Sequence, residues 1–194
     1  MKFCNQCGAE VVGKVPAGDK RLRYVCISCE AIHYQNPKIV AGCIPEHEGK
    51  VLLCKRAIEP RYGYWTLPAG FMELEETSLE AALRETLEEA NARVTVSELY
   101  TVFSLPNVSQ VYMMYRSKLL DLDFSAGDES LEVKLFAENE IPWDDIAFTT
   151  IKYTLKFYFK DQQSKNFCLH TGDIISYGDG NHGFRAGPEQ DQES

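Results

Sequence analysis

The chain has 194 residues, of which 44% are hydrophobic and 25% are charged, a composition typical of a folded globular protein. Its 29 acidic residues outnumber the 20 Lys and Arg, which gives a formal charge of −9 at pH 7. A negative excess repels the phosphate backbone, so the balance argues against nucleic acid as a partner. The sequence contains no run of 18 or more uncharged apolar residues, which excludes a membrane-crossing helix and a membrane partner.

The first residues, Met1-Lys2-Phe3-Cys4, lack the basic-then-apolar order of a secretory signal. We therefore expect a cytoplasmic protein, in which cysteines remain reduced.

Two Cys-x-x-Cys pairs stand near the start of the chain, Cys4 with Cys7 and Cys26 with Cys29. This spacing is typical of a zinc ribbon, in which four thiolates hold one Zn²⁺ tetrahedrally, and two disulfides are the alternative that a reducing compartment disfavours. Four protein ligands leave no open position, so the zinc is predicted to be structural. We assign residues 1–35 to this ribbon.

The remaining cysteines, Cys43, Cys54 and Cys168, have apolar neighbours and are predicted to be buried thiols.

Hydrophobic periodicity and turn residues predict the later elements. In chain order these are strands at 38–44 and 51–56 joined by a turn at 46–50, a loop at 59–70, a helix, strands at 93–103, 110–119 and 133–136, a helix at 149–160 and a short strand at 166–169. Strands interleaved with two long helices predict a mixed α/β or α+β domain over 36–175. Residues 176–194 are mostly Gly, Pro and polar, and are predicted to be a disordered tail.

The first helix has clear end signals. Thr77 followed by Glu80 is a capping box, which predicts that the helix begins at Ser78, and Asn91 suits the left-handed residue that ends it. Apolar residues at helical spacing predict one buried face. That face consists of Leu79, Leu83, Thr86, Leu87 and Ala90.

Three glutamates, Glu85, Glu88 and Glu89, are predicted to lie on the opposite side of this helix. Such a cluster is either a solvated acidic face or a set of hard oxygen ligands for Mg²⁺ or Mn²⁺. Helix spacing alone leaves these two interpretations open.

The residues around these glutamates follow the order G-x5-E-x7-R-E-x-x-E-E, formed by Gly70, Glu76, Arg84, Glu85, Glu88 and Glu89. This segment closely resembles the Nudix box of the Nudix hydrolase family. The chain departs from the family pattern where Asn91 replaces a glycine, Ala92 a larger aliphatic residue and Thr86 a larger apolar one.

The resemblance implies an α/β/α sandwich with a mixed sheet, and an enzyme that hydrolyses nucleoside diphosphates linked to another moiety. It implies that Glu85, Glu88, Glu89 and the Gly70 carbonyl bind Mg²⁺ or Mn²⁺. Arg84 would hold the carboxylate of Glu76 or Glu73 and so orient the glutamates, a task suited to its planar fork.

The general base implied by the box is Glu88. Some members of the family use a glutamate outside the box, for which Glu129 and Glu132 are the candidates here. The alternative for these two residues is an acidic turn before the next strand.

A ribbon in front of a Nudix box resembles two groups, the NADH diphosphatases and the FAD/ADP-ribose diphosphatases. The SQPWPFPxS array of the first group is absent at 104–112, whereas segments 35–38, 64–73 and 141–145 resemble the second. The resemblance therefore implies hydrolysis of FAD to FMN and AMP, or of ADP-ribose to AMP and ribose 5-phosphate. Alternatives are NADH or a capped RNA end, and a catalytically silent module that binds through its ribbon.

Several residues are candidates for contacts with such a substrate. Arg61 could contact a phosphate, while Tyr64, Trp65 and Tyr112 could stack on a base or flavin ring, with core or interface packing as the alternative for each. The resemblance also implies a homodimer.

Overall fold

The computed structural model describes residues 1–176 and 182–186. The chain divides into two compact units, Met1–Pro37 and Lys38–Ser194. No helix in the described part of the chain is long and apolar enough to cross a membrane.

The first unit is a small antiparallel sheet. Its strands are β1 (Val11–Lys14), β2 (Arg23–Cys26) and β3 (Ile32–His33), with β2 in the centre. The apolar core of this unit contains little besides Cys4, Val11 and Cys26. A core of this size cannot stabilise a fold alone, which is the situation in which small domains depend on a bound metal.

The second unit contains two helices and the remaining described strands. These are β4 (Lys38–His47), β5 (Lys50–Arg56), β6 (Trp65–Thr66), β7 (Ala69–Phe71), α1 (Ser78–Ala90), β8 (Val94–Leu105), β9 (Gln110–Leu119), β10 (Ser130–Phe136), α2 (Thr149–Ser164), β11 (His170–Ser176) and β12 (His182–Ala186). Over the described residues they form one sheet in the order β10-β5-β4-β9-β8-β11-β12, with β6 paired to β5 and β7 to β4. The pairs β4–β9 and β11–β8 are parallel and the others antiparallel, so the sheet is mixed as predicted.

The two helices cover opposite faces of this sheet. Along β4, Ala41 and Cys43 pack with α1, whereas Ile44 belongs to the cluster that contains Leu155 and Tyr158 of α2. Since successive strand residues point to opposite faces, the two clusters lie on the two sides of the sheet. This arrangement is the predicted α/β/α sandwich.

The buried face of α1 differs from the predicted one. Leu79, Leu83 and Leu87 are 38%, 36% and 51% exposed. The buried residues are Ala81, Ala82, Thr86, Glu89 and Ala90. Small side chains let the helix approach β4 closely, so the alanines rather than the leucines face the sheet, and only Thr86 and Ala90 of the predicted face are buried.

The chain after α2 also differs from the prediction. Residues 166–169 are not a strand, because Lys165 ends α2 in a left-handed conformation (φ 55°) and the chain then turns, so that β11 begins at His170. Cys168, predicted to be buried, is exposed in this turn, whereas Cys43 and Cys54 are buried.

Part of the predicted disordered tail has a defined structure. His182–Ala186 forms β12 and pairs with β11. Residues 177–181 and 187–194 lie outside the described residues.

Candidate active site

Helix α1 has the predicted ends. The Thr77 hydroxyl accepts a hydrogen bond from the Glu80 N–H, and the Glu80 carboxylate accepts one from the Thr77 N–H. Asn91 caps the other end at φ 47°, with its N–H bonded to the Leu87 carbonyl. These caps fix where the helix starts and ends, so that Glu85, Glu88 and Glu89 lie in its second half.

Arg84 is the centre of the carboxylate cluster. Its Nε and Nη2 donate to the two oxygens of Glu76 at 3.1 and 2.8 Å, and Nη2 also donates to the Phe71 carbonyl at 3.1 Å. Its Nη1 donates to Glu85 at 2.7 Å and to Glu88 at 3.0 Å. A lysine could not make this planar set of contacts.

Of the two proposed partners of Arg84, the structure places Glu76 and not Glu73 against it. The Glu76 Oε1 also accepts the Glu73 N–H at 2.6 Å. Hydrogen bonds from Arg84 and then from this N–H hold the pKa of Glu76 below its usual range. The loop before α1 is therefore fastened to the helix by an ionised carboxylate.

Glu89 is a buried carboxyl with few partners. It is 7% exposed, its Oε2 accepts one hydrogen bond, from the Ala69 N–H at 3.2 Å, and no Lys or Arg in the described chain lies within 4 Å. Burial, and in smaller part the charge of Glu85, raises the pKa of Glu89 to about 8. Burial likewise raises the pKa of Glu85. Carboxylates in this environment favour a nearby cation, so the donor set fits a divalent metal.

Gly70 lies directly against this cluster. A Cβ at Gly70 would lie 2.3 Å from the Glu85 carboxyl group, so any other residue here would displace that carboxyl. The β7–β4 pairing, with Gly70 opposite Ala41, holds the backbone at this position. Gly70, whose carbonyl is predicted to be a metal ligand, thus lies beside the Glu85 carboxyl group.

The loop 125–129 brings a further glutamate to the site. The Ser125 N–H donates to the Ala90 carbonyl and the Gly127 N–H to the Glu89 carbonyl, both at 3.0 Å. The Asn91 side-chain amide also donates to Ser125, at 3.3 Å to its carbonyl and 3.2 Å to its hydroxyl. These contacts attach the loop to the end of α1.

Of the two candidate bases outside the box, only Glu129 faces the cavity beside the box. Its charge contributes to the raised pKa values of Glu85 and Glu89. Glu132 lies on β10 opposite Lys55 and does not line the cavity.

The box glutamates line an open cavity of about 1120 Å³. Its cationic side chains are Arg56, Arg61 and Arg84, and its aromatic side chains are Phe71, Tyr112 and Phe148. The Arg56 guanidinium lies 5.1 Å from the centre of the Phe148 ring.

Sequence reasoning missed Arg56 and Phe148 as residues of this cavity. The signal for Arg56 was a basic residue at the end of a strand, directly before the Gly- and Pro-rich loop.

The four predicted substrate contacts fall into two groups. Arg61 and Tyr112 line the cavity, whereas Tyr64 and Trp65 do not. Trp65 is 8% exposed and packs edge-on against Phe136 at 4.8 Å in the core.

The start of α2 faces the same cavity. Phe148, the residue before the helix, makes no side-chain capping bond, and Thr149 and Thr150 line the cavity. Thr150 is 1% exposed, and its hydroxyl has no hydrogen-bond partner among the described residues. Free N–H groups at a helix start, together with this hydroxyl, suit hydrogen-bond acceptors of a ligand.

The four ribbon cysteines come together as predicted. Their sulfur atoms all lie within 4.8 Å of one another, with 3.7 Å between Cys4 and Cys29 and 3.4 Å between Cys7 and Cys26. Four thiols converging on one point fit a single tetrahedral Zn²⁺.

Two family models match the chain. A zinc-ribbon model described as Nudix N-terminal matches residues 2–35, and the NUDIX domain model matches residues 36–156.

Curated relatives and a solved structure agree with these models. An ADP-ribose pyrophosphatase from Methanocaldococcus jannaschii is 33% identical over 56% of this chain and 67% of its own length. A NAD-capped RNA hydrolase NudC from Vibrio vulnificus is 29% identical over 73% of this chain and 53% of its own length, so the chain spans about half of that relative. The crystal structure of a NUDIX hydrolase from Nitrosomonas europaea is 61% identical, covers 91% of this chain and 100% of its own, and has a TM-score of 0.88.

Members of this family act on nucleotide derivatives with a divalent metal, which the carboxylate cluster is suited to bind. With both models matched and the box residues gathered around one cavity, the chain belongs to the Nudix hydrolase family and is a pyrophosphohydrolase with an N-terminal zinc ribbon.

Proposed function

We propose that this enzyme hydrolyses the pyrophosphate bond of a dinucleotide, either ADP-ribose to AMP and ribose 5-phosphate or FAD to AMP and FMN. The main support is that the box carboxylates, two further arginines and three aromatic rings line one cavity of about 1120 Å³. That volume suits a substrate larger than a mononucleotide. The relative named ADP-ribose pyrophosphatase supports the same class of substrate.

Glu85, Glu88, Glu89 and the Gly70 carbonyl are the residues proposed to bind Mg²⁺ or Mn²⁺. A divalent ion there would neutralise charge on the pyrophosphate and lower the pKa of the attacking water. Arg84 keeps Glu85 and Glu88 oriented through its Nη1. Glu89, held by the Ala69 N–H, contributes its charge once its proton has left.

Glu88 is the proposed general base. One of its oxygens is bonded to Arg84, and its side chain is 58% exposed, so the other oxygen is accessible to water. Glu129, which lines the same cavity, is the alternative base. Either residue would take a proton from the water that attacks phosphorus.

Other parts of the substrate are proposed to contact further residues that line the cavity. Arg56 and Arg61 are placed to contact phosphate oxygens, and Tyr112 and Phe148 to contact a flat ring.

A second candidate substrate is NADH or an NAD-capped RNA end. The relatives named NudC support it, although the SQPWPFPxS array is missing at 104–112. RNA binding would weaken steeply with added salt, whereas cleavage of a free dinucleotide would change far less.

Chromatography of the products tests the proposal. The full chain is incubated separately with ADP-ribose, FAD and NADH, with Mg²⁺ or Mn²⁺, and with EDTA as the metal-free control. We expect AMP with either ribose 5-phosphate or FMN to form fastest, and EDTA to stop its formation. If none of the three is cleaved with either metal, the proposed substrate class is wrong and the box serves another substrate, and the silent binding module then deserves equal weight.

Two further expectations concern the setting of the enzyme. We propose a homodimer, for which the exposed residues Leu79, Leu83 and Leu87 offer an apolar surface. Light scattering coupled to gel filtration measures the molar mass in solution, and the mass of a monomer would contradict this proposal.

We propose a reducing compartment such as the cytoplasm, because the ribbon cysteines bind metal only as thiolates.

A further inference from the structure

A second cluster of metal-ligand side chains lies in the Nudix unit, outside the cavity and unrelated to the box. It brings together Asp161 in the last turn of α2, Cys168 in the turn that follows, and His170, the first residue of β11. One carboxylate oxygen, one sulfur and one ring nitrogen from these residues lie within 4.8 Å of one another. None of the three lines the cavity.

Both other ligand atoms of this cluster lie near one ring nitrogen of His170. His170 Nε2 lies 2.8 Å from Asp161 Oδ2 and 3.7 Å from Cys168 Sγ. Cys168 lies two residues before His170, just ahead of β11. All three ligand atoms are thus close enough to one another to reach one small cation.

The side chains behind the cluster hold it in place. The Tyr100 hydroxyl donates to Asp161 Oδ2 at 2.9 Å, and the Phe157 ring stacks on the His170 ring with centres 4.2 Å apart. Partners of this kind orient ligands in metal sites. Asp161 and His170 are 6% and 8% exposed, whereas Cys168 is exposed and leaves a path for an ion to enter.

We propose that Asp161, Cys168 and His170 form a second zinc site, separate from the ribbon and from the catalytic metals. Nitrogen, sulfur and carboxylate oxygen are the donors that Zn²⁺ takes in proteins, and three protein ligands leave one position for water. A thiolate and a carboxylate together balance the charge of the ion. Binding releases the thiol proton of Cys168 to solvent, while the neutral His170 ring keeps its one proton on Nδ1 and binds through Nε2.

The site would connect the end of α2 to the start of β11. In the structure this connection is made by the turn at 165–169 and by the hydrogen bond between His170 and Asp161. A bound zinc ion would hold the same two elements together more strongly and so stabilise the fold. This stabilisation would not depend on the catalytic metal.

The zinc content of the full chain tests this proposal. Wild type, Cys168→Ser and Leu169→Ser are dialysed against buffered micromolar Zn²⁺ with excess Mg²⁺ and analysed by atomic emission. Leu169 is exposed and outside the cluster, so it provides the matched control. We expect one more zinc ion per chain in wild type and Leu169→Ser than in Cys168→Ser, because the ribbon and the box are the same in all three.

Alkylation of Cys168 provides a second readout that does not depend on enzyme activity. Iodoacetamide labels accessible thiolates, and labelling is followed at the Cys168 peptide by mass spectrometry. We expect Zn²⁺ to slow this labelling by about tenfold or more in wild type, and His170→Gln to remove the protection. Equal zinc contents, or a labelling rate that zinc does not change, would show that the cluster is only a hydrogen-bonded network around Tyr100. Retained pyrophosphatase activity of each variant would confirm that it is folded.

Discussion

The ribbon and the Nudix box are both metal-ligand clusters, but the protein organises them differently. In the ribbon, four sulfur atoms converge within 4.8 Å, and the surrounding apolar core is very small. In the box, the carboxylates are fixed by Arg84, by the Ala69 N–H and by the packing of a capped helix. From this difference we expect that the ribbon needs its metal to fold, whereas the box keeps its shape without metal and needs a metal only to react.

Removing the ribbon zinc should have the largest effect. Structural zinc contributes about 10–16 kcal/mol in small zinc domains, so Cys26→Ser should unfold residues 1–37. Limited proteolysis should then cut within that unit while a fragment that starts near Lys38 persists, because the second unit has its own cores. Cys43→Ser, outside the ribbon, is the matched control and should leave the ribbon intact. If the ribbon resists protease in Cys26→Ser, its dependence on metal is disproved.

The next largest effect concerns Glu88. Glu88→Gln keeps the shape of the side chain but removes its charge, and we expect kcat to fall by about 10²- to 10⁴-fold with little change in thermal stability. Glu132→Gln, on β10 and away from the cavity, is the matched control and should keep normal turnover. Near-normal kcat in Glu88→Gln together with a large loss in Glu129→Gln would move the role of base to Glu129.

Arg84→Lys tests whether the protein itself organises the box. A lysine cannot contact Glu76, Glu85 and Glu88 together, so metal affinity or kcat should fall by about 10- to 100-fold, the usual effect of removing a partner behind metal ligands. The measurement is the Mg²⁺ dependence of initial rates. Arg93→Lys changes an exposed ion pair with Asp121 and should leave that dependence unchanged. An unchanged Mg²⁺ curve in Arg84→Lys would mean that the metal alone orders the glutamates.

The smallest effect is expected at Asn91. Glycine fits the left-handed conformation there, so Asn91→Gly should hardly change the melting temperature. It removes the amide contacts to Ser125 and Ala126, which help hold the loop that carries Glu129. A decrease in kcat of about two- to fivefold is expected, in line with the modest value of single neutral hydrogen bonds. A melting point lowered by many degrees would instead assign Asn91 mainly to the fold.

Local signals in the sequence predicted local structure well. The caps of α1 at Thr77 and Asn91, the convergence of the ribbon cysteines and the contact between Arg84 and Glu76 all depend on residues at fixed spacing. Each of these features repeats a pattern whose geometry is set by a short stretch of chain.

Features that depend on distant packing were predicted less well. The prediction of the buried face of α1 was wrong because it relied on hydrophobicity, which favours the leucines. The close approach of β4 instead requires the small side chains of Ala81 and Ala82 there. Arg56 and Phe148, 92 positions apart, meet only because β5 and the start of α2 reach the same cavity. Periodicity cannot reveal which strands become neighbours.

Gly127 illustrates how such packing limits mutation. A Cβ at this residue would lie 1.8 Å from the Glu88 carbonyl oxygen, closer than any adjustment of a side chain could relieve. Every substitution must therefore push the loop that carries Glu129 away from the end of α1. In a saturation-mutagenesis map of activity, Gly127 should be as intolerant as the box glutamates although it offers no chemical group to the substrate. Such a position would be mistaken for a catalytic residue by genetics alone.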